Sequence, residues 1–286
     1  MRSNRFEEYN SWLLDVGNGF LRAERRYHVE YEVEVHASRL TQDIVTDIFG
    51  SIDPRDLSSI QRASTSVILC TTNEHIFELT NKLYSMENFR GLTFYPCYSV
   101  DSIVEDPSVC PDEYPIEFLN SLTPPGMPPH ILKLHVHCIV ILIRNYSSHQ
   151  GLCNGTRLIL RRVMPNAVVA QIASGRFIGR TVIISKLTLT SASTDLPIKL
   201  RRHQFPFIPA FAMTINKAQG QTFENVGIYI PRDVFSHGQL YVAFSRSSNP
   251  LSTRIRVDHY DSEMVEHNPN EPLKLKNIVW NEVLRN

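Results

Sequence analysis

The sequence predicts an α/β fold that is interrupted by a small all-β module. Three observations support this prediction: a strand–loop–helix unit at 66–86, a series of short strand-like runs between 138 and 187, and a return of alternating strands and helix after Ala210. The chain has 286 residues, of which 42% are hydrophobic and 20% are charged. This composition is typical of a folded protein with one large domain or two ordinary ones.

The first part of the chain predicts helices and then one strand–loop–helix unit. Residues 1–64 are rich in acids and predict mostly helix with little strand. In "SVILCTTNEHIFELTNKLYSM" (66–86), residues 67–70 form a short apolar run typical of a buried strand. Thr72 or Asn73 can cap the helix that follows. The apolar residues of that helix recur at helical spacing: Ile76, Leu79, Leu83 and Met86.

The middle of the chain has a different pattern, which begins after the Pro-rich stretch "SLTPPGMPPH" (121–130). Turn signals separate four strand-like runs, and Asn154-Gly155 is a strong tight-turn signal. The runs lie at 138–143, 156–163, 167–173 and 181–187. Short strands with regular turns predict a small all-β barrel.

The last part of the chain predicts further α/β structure. Residues 211–215, 226–230 and 254–257 are expected to be strands. "SHGQLYVAFSR" (236–246) is expected to be a helix with Ser236 as its N-cap. The C-terminal "KLKNIVWNEVLRN" is compatible with either a helix or an extended segment.

The charge is balanced overall but unevenly distributed. The net charge is zero, yet residues 130–217 hold 12 Lys/Arg and one acid, Asp195, while residues 1–129 hold 10 Lys/Arg and 20 Asp/Glu. A basic block of this size indicates a polyanionic partner. The alternative is that the basic block pairs with the acidic N-terminal region inside the fold.

Disulfide, zinc and membrane functions are not expected. The five Cys are odd in number and include no C-x-x-C pair, so the sequence favours a reducing compartment and predicts no metal site. The N-terminal "MRSNRFEEYN" has no apolar region of the kind that signal peptides need. The longest purely aliphatic run, 139–143, is too short to span a bilayer.

Two stretches near the C-terminus carry the residue types expected of a ligand site. "FAMTINKAQGQTF" (211–223) begins as an apolar strand and ends in a polar loop, where Gly220 allows close approach of a phosphate and Lys217 adds positive charge. A simple turn is the alternative for Gly220. In "GQLYVAFSRSSNP" (238–250), Arg246 at the helix end can either cap carbonyl groups or stabilise a transferring phosphoryl group.

Taken together, these stretches resemble motifs V and VI of superfamily-one helicases. The similarity is greatest to the petite-integration-frequency (Pif-type) and Helitron-transposon helicases, whose corresponding stretches are nearly identical to "AFAMTINKAQGQT" (210–222) and "FSHGQLYVAFSR" (235–246). Four more stretches are similar to the family, so the resemblance covers most of the chain: "WLLDVGNG" (12–19), "SVILCTTNEHIFELTN" (66–81), "GLCNGTRLIL" (151–160) and "LRRHQFPFIPAFAMTINK" (200–217).

The resemblance implies a domain organisation. Such helicases have two RecA-like domains that close on ATP, and a small Src-homology-like β-barrel is inserted in the second. Residues 1–64 are then a helical remnant that follows the first motor domain. Residues 65–136 and 201–286 form the two parts of the second RecA-like domain, and 137–200 form the barrel.

The resemblance also implies roles for individual residues. It places Gly220 and Gln221 at the nucleotide, and it makes Arg246 the arginine finger that meets the γ-phosphate. Thr214, Asn216 and Lys217 fall on motif V, which links the nucleotide to single-stranded DNA. The motif IV stretch contributes Thr72 and Asn73 to nucleic-acid binding.

Charge alone, independently of the resemblance, predicts that Arg201 and Arg202 contact the phosphate backbone of the nucleic acid. A solvated surface is the alternative for both residues.

Departures and absences limit what the resemblance implies. The family usually has Gly at the position of His137, Pro at that of Ile139 and Leu at that of Phe244. The sequence contains no G-x-x-x-x-G-K-[ST] phosphate loop, and its only Asp-Glu pair, Asp112-Glu113, follows a Pro rather than an apolar strand. The first motor domain is therefore expected to be missing, and the chain to supply half of a site for ATP and Mg²⁺.

The function expected from the resemblance is that of a 5′-to-3′ ATP-dependent DNA helicase. The implied roles are repair, recombination, telomere maintenance or transposition, carried out by a monomer in the nucleus or in mitochondria. A non-catalytic relic that binds single-stranded nucleic acid is the second interpretation. A fragment of an RNA-directed helicase is the third.

Overall fold

The computed structural model describes residues 7–19, 30–104, 114–192, 198–247, 249–258 and 273–279. The chain forms two compact units. Unit 1 takes its described residues from 1–52, 65–88 and 211–286, and unit 2 from 53–64 and 89–210. The chain therefore passes from unit 1 to unit 2 and back twice.

Unit 1 is built on a four-stranded parallel sheet. Its helices are α1 (Glu7–Asn18), α2 (Ile44–Phe49), α4 (Asn73–Ser85) and α6 (Gln239–Phe244). Its strands are β1 (Glu30–Val35), β2 (Ser66–Cys70), β13 (Ala212–Thr214), β14 (Asn225–Ile230), β15 (Thr253–Val257) and β16 (Leu273–Ile278). The parallel strands lie in the order β13-β2-β14-β15, and all five residues of β2 are buried.

Close packing of α2 on this sheet depends on Gly227. A Cβ atom at Gly227 would lie 2.9 Å from the Ile44 side chain and 3.1 Å from that of Ile48. Since atoms cannot approach so closely, a glycine in the middle of β14 lets the helix pack directly on the strand.

The strands and helices predicted for unit 1 after residue 64 are confirmed. One helix begins later than predicted, and one strand was not predicted. Helix α6 begins at Gln239 after Gly238 with φ 67°, so Ser236 is not its N-cap. The acidic N-terminal region also contains a strand, β1, which pairs antiparallel with β16. In β1 the buried Val33 and Val35 alternate with exposed glutamates, and in β16 the buried Leu273 and Leu275 have Lys274 between them. This two-residue period is the pattern of a half-buried strand.

Unit 2 consists of antiparallel sheets. Its helices are α3 (Leu57–Ala63) and α5 (Ile116–Ser121), and its strands are β3 (Tyr95–Tyr98), β4 (Val100–Ile103), β5 (Ile131–Leu134), β6 (Ile139–Leu142), β7 (Arg157–Val163), β8 (Ala167–Ile172), β9 (Thr181–Ser185), β10 (Leu187–Thr190), β11 (Leu200–Gln204) and β12 (Phe207–Pro209). They form a five-stranded sheet β12-β6-β7-β8-β9, a three-stranded sheet β10-β11-β4 and a pair β3-β5. Closure of the five strands into a barrel remains a prediction.

The compact units do not follow the predicted boundaries at 65, 137 and 201. Residues 89–136 and 201–210 belong to unit 2, although the sequence predicts them to be parts of the α/β domain. The reason is strand pairing: β3 pairs with β5, and β4 pairs with β11.

A buried arginine holds two segments of unit 2 together. The Arg157 guanidinium is fully buried and donates to the carbonyl oxygens of Ser64 (2.7 Å) and Ala210 (2.8 Å). These are the last residues of unit 2 before the chain passes into unit 1. Burial lowers the pKa of Arg157 to about 9, which shows how completely water is excluded from the group.

His137 has an unusual backbone conformation, with φ 71°. Glycine adopts this left-handed region without strain, so the geometry explains why the resembled family usually has Gly there. Histidine is among the residues that tolerate the region better than most.

No helix in the described part of the chain is long and apolar enough to cross a membrane.

The stability of unit 2 should fall on acidification because of His135. The ring is inaccessible to solvent and packs edge-on against Phe89 and Phe94. Burial lowers its pKa to about 4, against an unperturbed 6.5, although the bond to the Val136 carbonyl opposes the shift. The unfolded chain therefore takes up a proton at His135 between pH 6.5 and pH 4 that the folded chain does not. The resulting decrease in the free energy of unfolding should approach roughly 3 kcal/mol near pH 4.

Urea unfolding at pH 7 and pH 4.5 measures this effect. His135→Asn keeps a donor near the position of Nδ1 but has no proton to gain, so its stability should depend less on pH than that of the wild type. An equal loss of stability in both proteins would assign the acid sensitivity to other groups.

Candidate nucleotide and nucleic-acid site

The carboxyl ends of β2 and β13 meet at one edge of the parallel sheet. The two strands are neighbours, and Thr214 lies opposite Cys70 in their register. Thr72 and Asn73 follow β2, while the 3-10 helix Ile215–Ala218 follows β13. The structure therefore brings together five residues predicted to bind nucleic acid: Thr72, Asn73, Thr214, Asn216 and Lys217. We call this group the Lys217 edge.

Lys217 is the cation of this edge. Its Nζ lies 3.3 Å from Asn73 Oδ1, and burial lowers the pKa of Lys217. Burial also raises the pKa of the neighbouring Cys70 thiol to about 12, so this thiol is neutral at physiological pH and does not cancel the lysine charge. A partly desolvated ammonium beside an exposed amide, Asn73, and an exposed Asn216 is suited to bind an anionic backbone.

Thr72 is at the N-cap position of α4, as predicted, but its side chain makes no capping bond. Its hydroxyl instead lies 2.6 Å from His75 Nδ1. The His75 ring packs edge-on against Tyr229, whose hydroxyl donates to Asp258. Sequence reasoning missed this series of contacts because Thr72 and His75 follow β2, whereas Tyr229 lies in β14 and Asp258 follows β15, far along the chain.

Gly220, Gln221 and Arg246 form a second group, which follows the 3-10 helix and adjoins Lys217 because Gln221 Nε2 donates to the Lys217 carbonyl at 3.2 Å. Gly220 has φ 79°, and no heavy atom lies within 4 Å of where its Cβ would be, so the loop has room around it. The Arg246 guanidinium donates from Nη1 to the Gln221 carbonyl (3.0 Å) and more weakly to that of Ala218 (3.4 Å). The predicted nucleotide residues are therefore in contact.

Arg246 also makes the bonds expected of a helix cap. Its Nε donates to the Val242 carbonyl (2.9 Å), four residues earlier in α6, and Nη2 lies 2.8 Å from Ser245 Oγ. The capping alternative thus has direct geometric support. The arginine-finger role remains a prediction, and it requires the Nη groups to exchange carbonyl oxygens for phosphate oxygens.

The prediction for Arg202 as a phosphate contact is wrong. Its guanidinium has no exposure and forms a bidentate ion pair with buried Asp101, with N–O distances of 2.8 and 2.6 Å. It also donates to the carbonyls of Leu119, Leu122 and Pro128. Successive residues of β11 point to opposite faces, so Arg201 is exposed while Arg202 is buried. For this pair, the alternative that the basic block pairs with the acidic region inside the fold is correct.

Comparisons with known proteins find similarity to Pif1 helicases. The family model for the 2B domain of the DNA helicase Pif1 matches residues 117–162. The chain is 26% identical over 235 residues to the ATP-dependent DNA helicase PIF1 of Danio rerio, covering 82% of this chain and 33% of the relative. It is 36% identical over 126 residues to the human protein of the same name, covering 44% of this chain and 19% of the relative.

A solved structure shows the same fold. The crystal structure of Pif1 helicase from Candida albicans superposes with a TM-score of 0.50 at 20% identity, covering 85% of this chain and 56% of that chain. The chain thus spans a third or less of these two curated relatives and about half of the solved structure. The RecA-like α/β fold is confirmed.

Arg201 and Arg202 should respond oppositely to replacement by Ala. Arg202→Ala leaves Asp101 buried without its cation, so it should lower the free energy of unfolding by about 3–5 kcal/mol. Arg201→Ala should leave stability within about 0.5 kcal/mol, as is usual for surface substitutions. Urea unfolding measures both values. Equal losses from the two variants would contradict the assignment of opposite faces.

Proposed function

We propose that this chain, which is similar to Pif1 helicases, corresponds to the C-terminal part of such a protein and supplies the second motor domain of an ATP-dependent 5′-to-3′ DNA helicase. The observation that carries the proposal is the position of the 3-10 helix Ile215–Ala218. This helix carries Asn216 and Lys217 of the Lys217 edge, and the loop that follows it carries Gly220 and Gln221 of the nucleotide group. Action in repair, recombination, telomere maintenance or transposition is part of the proposal.

The nucleotide group has a composition that fits the phosphate end of ATP. The open space beside Gly220 allows the backbone to approach an anion, Gln221 offers an amide, and Arg246 offers a planar guanidinium. Bound ATP supplies the γ-phosphoryl group that is transferred to water. Arg246 then stabilises the negative charge that develops on this group, which favours the transition state over the ground state. Within the described ranges, no three His, Cys, Asp or Glu side chains converge, so we assign no Mg²⁺ ligands to this chain.

The Lys217 edge is proposed to hold single-stranded DNA. Lys217 contacts a phosphate as a charged donor, and Asn73, Asn216 and Thr72 supply neutral hydrogen bonds to the backbone. Because Gln221 Nε2 donates to the Lys217 carbonyl at 3.2 Å, a displacement of the nucleotide loop moves Lys217 with it. This short connection is the proposed route from ATP hydrolysis to movement along DNA.

A non-catalytic DNA-binding role is the second candidate. The observation that favours it is the absence of a phosphate-loop motif from the 286 residues. Both candidate functions predict that the chain by itself has no ATPase activity. The two candidates are separated by attaching the first motor domain of a relative to this chain. A non-catalytic relic would remain inactive in such a fusion protein.

Arg246 should be required for turnover in such a fusion. With the first motor domain of a close relative attached, Arg246→Ala should lower the DNA-stimulated ATPase rate by roughly 10³ or more, the scale of an arginine finger. Lys at this position should rescue poorly, since a point charge does not reproduce the bidentate fork.

Arg254→Ala is the matched control, because Arg254 also donates to backbone carbonyls, those of Leu251 and Thr253, in the same unit. It should leave turnover unchanged. A lower melting temperature with full turnover in Arg246→Ala would make Arg246 a helix cap only.

Lys217 should contribute to DNA affinity in the unfused chain. Lys217→Ala should weaken binding of single-stranded DNA and reduce the slope of log affinity against log salt by about 0.7 if one phosphate contact is lost. Lys274→Ala removes the same charge from a surface ion pair with Glu32 and should change neither quantity. Fluorescence anisotropy titrations between low and moderate salt measure the DNA affinity of both variants. An unchanged salt slope in Lys217→Ala rejects the phosphate contact.

A further inference from the structure

Unit 2 has an exposed sheet face that combines aromatic, aliphatic and cationic side chains. From Pro96 to Ser102 the residues alternate strictly between exposed and buried. Tyr98, the last residue of β3, is 55% exposed, and Val100, the first residue of β4, is 70% exposed, so two large side chains stand out to solvent where the strands adjoin. Such exposure on a regular sheet indicates a surface that contacts another molecule.

The strand registers place further residues beside this run. Ile131 lies directly opposite Tyr98, and His203 lies opposite Val100. Lys133 and Arg201 lie two residues further along the same faces of β5 and β11. Directly opposite residues of an antiparallel pair share a face, so these side chains are neighbours. We call this group the Tyr98 face: Tyr98, Val100, Ile131, Lys133, Arg201 and His203.

The charge of this face has one sign. In the five strands β3, β4, β5, β10 and β11 the single acid is Asp101, and it is buried beneath the face in its pair with Arg202. Lys186 adds a further cation, since its Nζ donates to the Tyr98 carbonyl at 2.9 Å. The outward side of these five strands therefore carries Lys133 and Arg201 and no acidic residue of its own.

The face is also held rigid from below. The Asp101–Arg202 pair fixes β4 to β11, and Gln204 Nε2 donates to the carbonyls of Cys97 (2.8 Å) and His130 (3.0 Å). The Tyr98 ring lies 5.8 Å from the His130 ring, which restricts its rotation. A ring that is already fixed loses little entropy when a ligand packs on it.

We propose that the Tyr98 face binds single-stranded DNA, with the Tyr98 ring stacking on a base and Lys133 and Arg201 contacting phosphates. Aromatic rings interleaved with cations are the arrangement that binds single strands without reading their sequence. A protein partner fits less well, since protein interfaces are depleted in Lys and a face with cations only would need an acidic partner. The choice of DNA rests on the proposed function. The contact is additional to the Lys217 edge, whose residues lie in the other unit.

The test uses the full 286-residue chain and a labelled oligothymidine of about 20 nucleotides, which is longer than one such site requires. Tyr98→Ala should weaken affinity by about fivefold or more, while Tyr98→Phe, which keeps the stacking surface, should bind like the wild type. Tyr98→Trp should also bind, and its fluorescence should be quenched by the oligonucleotide. Arg201→Ser should reduce the salt slope by about 0.7.

Matched controls come from the same unit. Phe118→Ala removes another exposed aromatic side chain from α5, and Arg162→Ser removes another exposed cation from β7. Both should bind DNA like the wild type, and thermal melts of all variants check their folding. Equal effects of Arg162→Ser and Arg201→Ser would show diffuse attraction and overturn the proposal, as would an unchanged affinity of Tyr98→Ala.

The design separates this proposal from the proposed function. If Lys217→Ala weakens binding and the Tyr98 variants do not, the Tyr98 face is wrong and the Lys217 edge stands. If only the Tyr98 and Arg201 variants weaken binding, the face stands and the Lys217 edge is wrong. Tighter binding of oligouridine than of oligothymidine would overturn the choice of DNA, and self-association that Tyr98→Ala abolishes would identify an interface between copies instead.

Discussion

The parallel pairing of β2 with β13 is the contact on which the candidate site depends. Parallel strands end at the same edge of a sheet, and the register sets Thr214 opposite Cys70. Two segments that are about half the chain apart therefore deliver Thr72, Asn73 and Lys217 to one place. The pairing leaves little freedom, since β2 is buried throughout and also pairs with β14 on its other side. A one-residue shift would turn every side chain of β13 to the opposite face of the sheet.

Unit 2 depends on buried guanidinium groups in a similar way. Arg157 holds the two segments that end at Ser64 and Ala210, and Arg202 joins Asp101 to three backbone carbonyls. Each arginine brings several donors into the interior, where unsatisfied carbonyls would be costly. Buried ion pairs are weak evidence for added stability, but the loss of one partner is strongly destabilising. These two groups therefore tie the arrangement of unit 2 to a small number of specific side chains.

The 3-10 helix Ile215–Ala218 and the loop that follows it have different roles in the proposed motor. Lys217 and its neighbours present hydrogen-bond donors and a charge, while Gly220, Gln221 and Arg246 form a loop that is held by guanidinium–carbonyl bonds. Those carbonyl bonds explain how Arg246 can be both a cap and a candidate finger. The same fork that satisfies the Val242 and Gln221 carbonyls has the geometry that phosphate oxygens require. Arg246 therefore caps the end of α6, and its role as an arginine finger stays a prediction.

The sequence by itself determined the α/β class, the position of β2 and α4 and the strands β6, β7, β8 and β9 of unit 2, because hydrophobic period and turn residues are local signals. The motif residues from Thr214 to Arg246 came from the family resemblance, and their roles stay predictions. It did not determine which of two adjacent arginines is buried. Only the pairing of β11 with β4 places Asp101 under Arg202 and leaves Arg201 outside. The strand β1 and the compact-unit boundaries at 53 and 89 also depend on partners far along the chain. The Tyr98 face is assembled in the same way: Tyr98 belongs to the acidic part of the sequence and Arg201 to the basic part, and strand pairing alone makes them one surface.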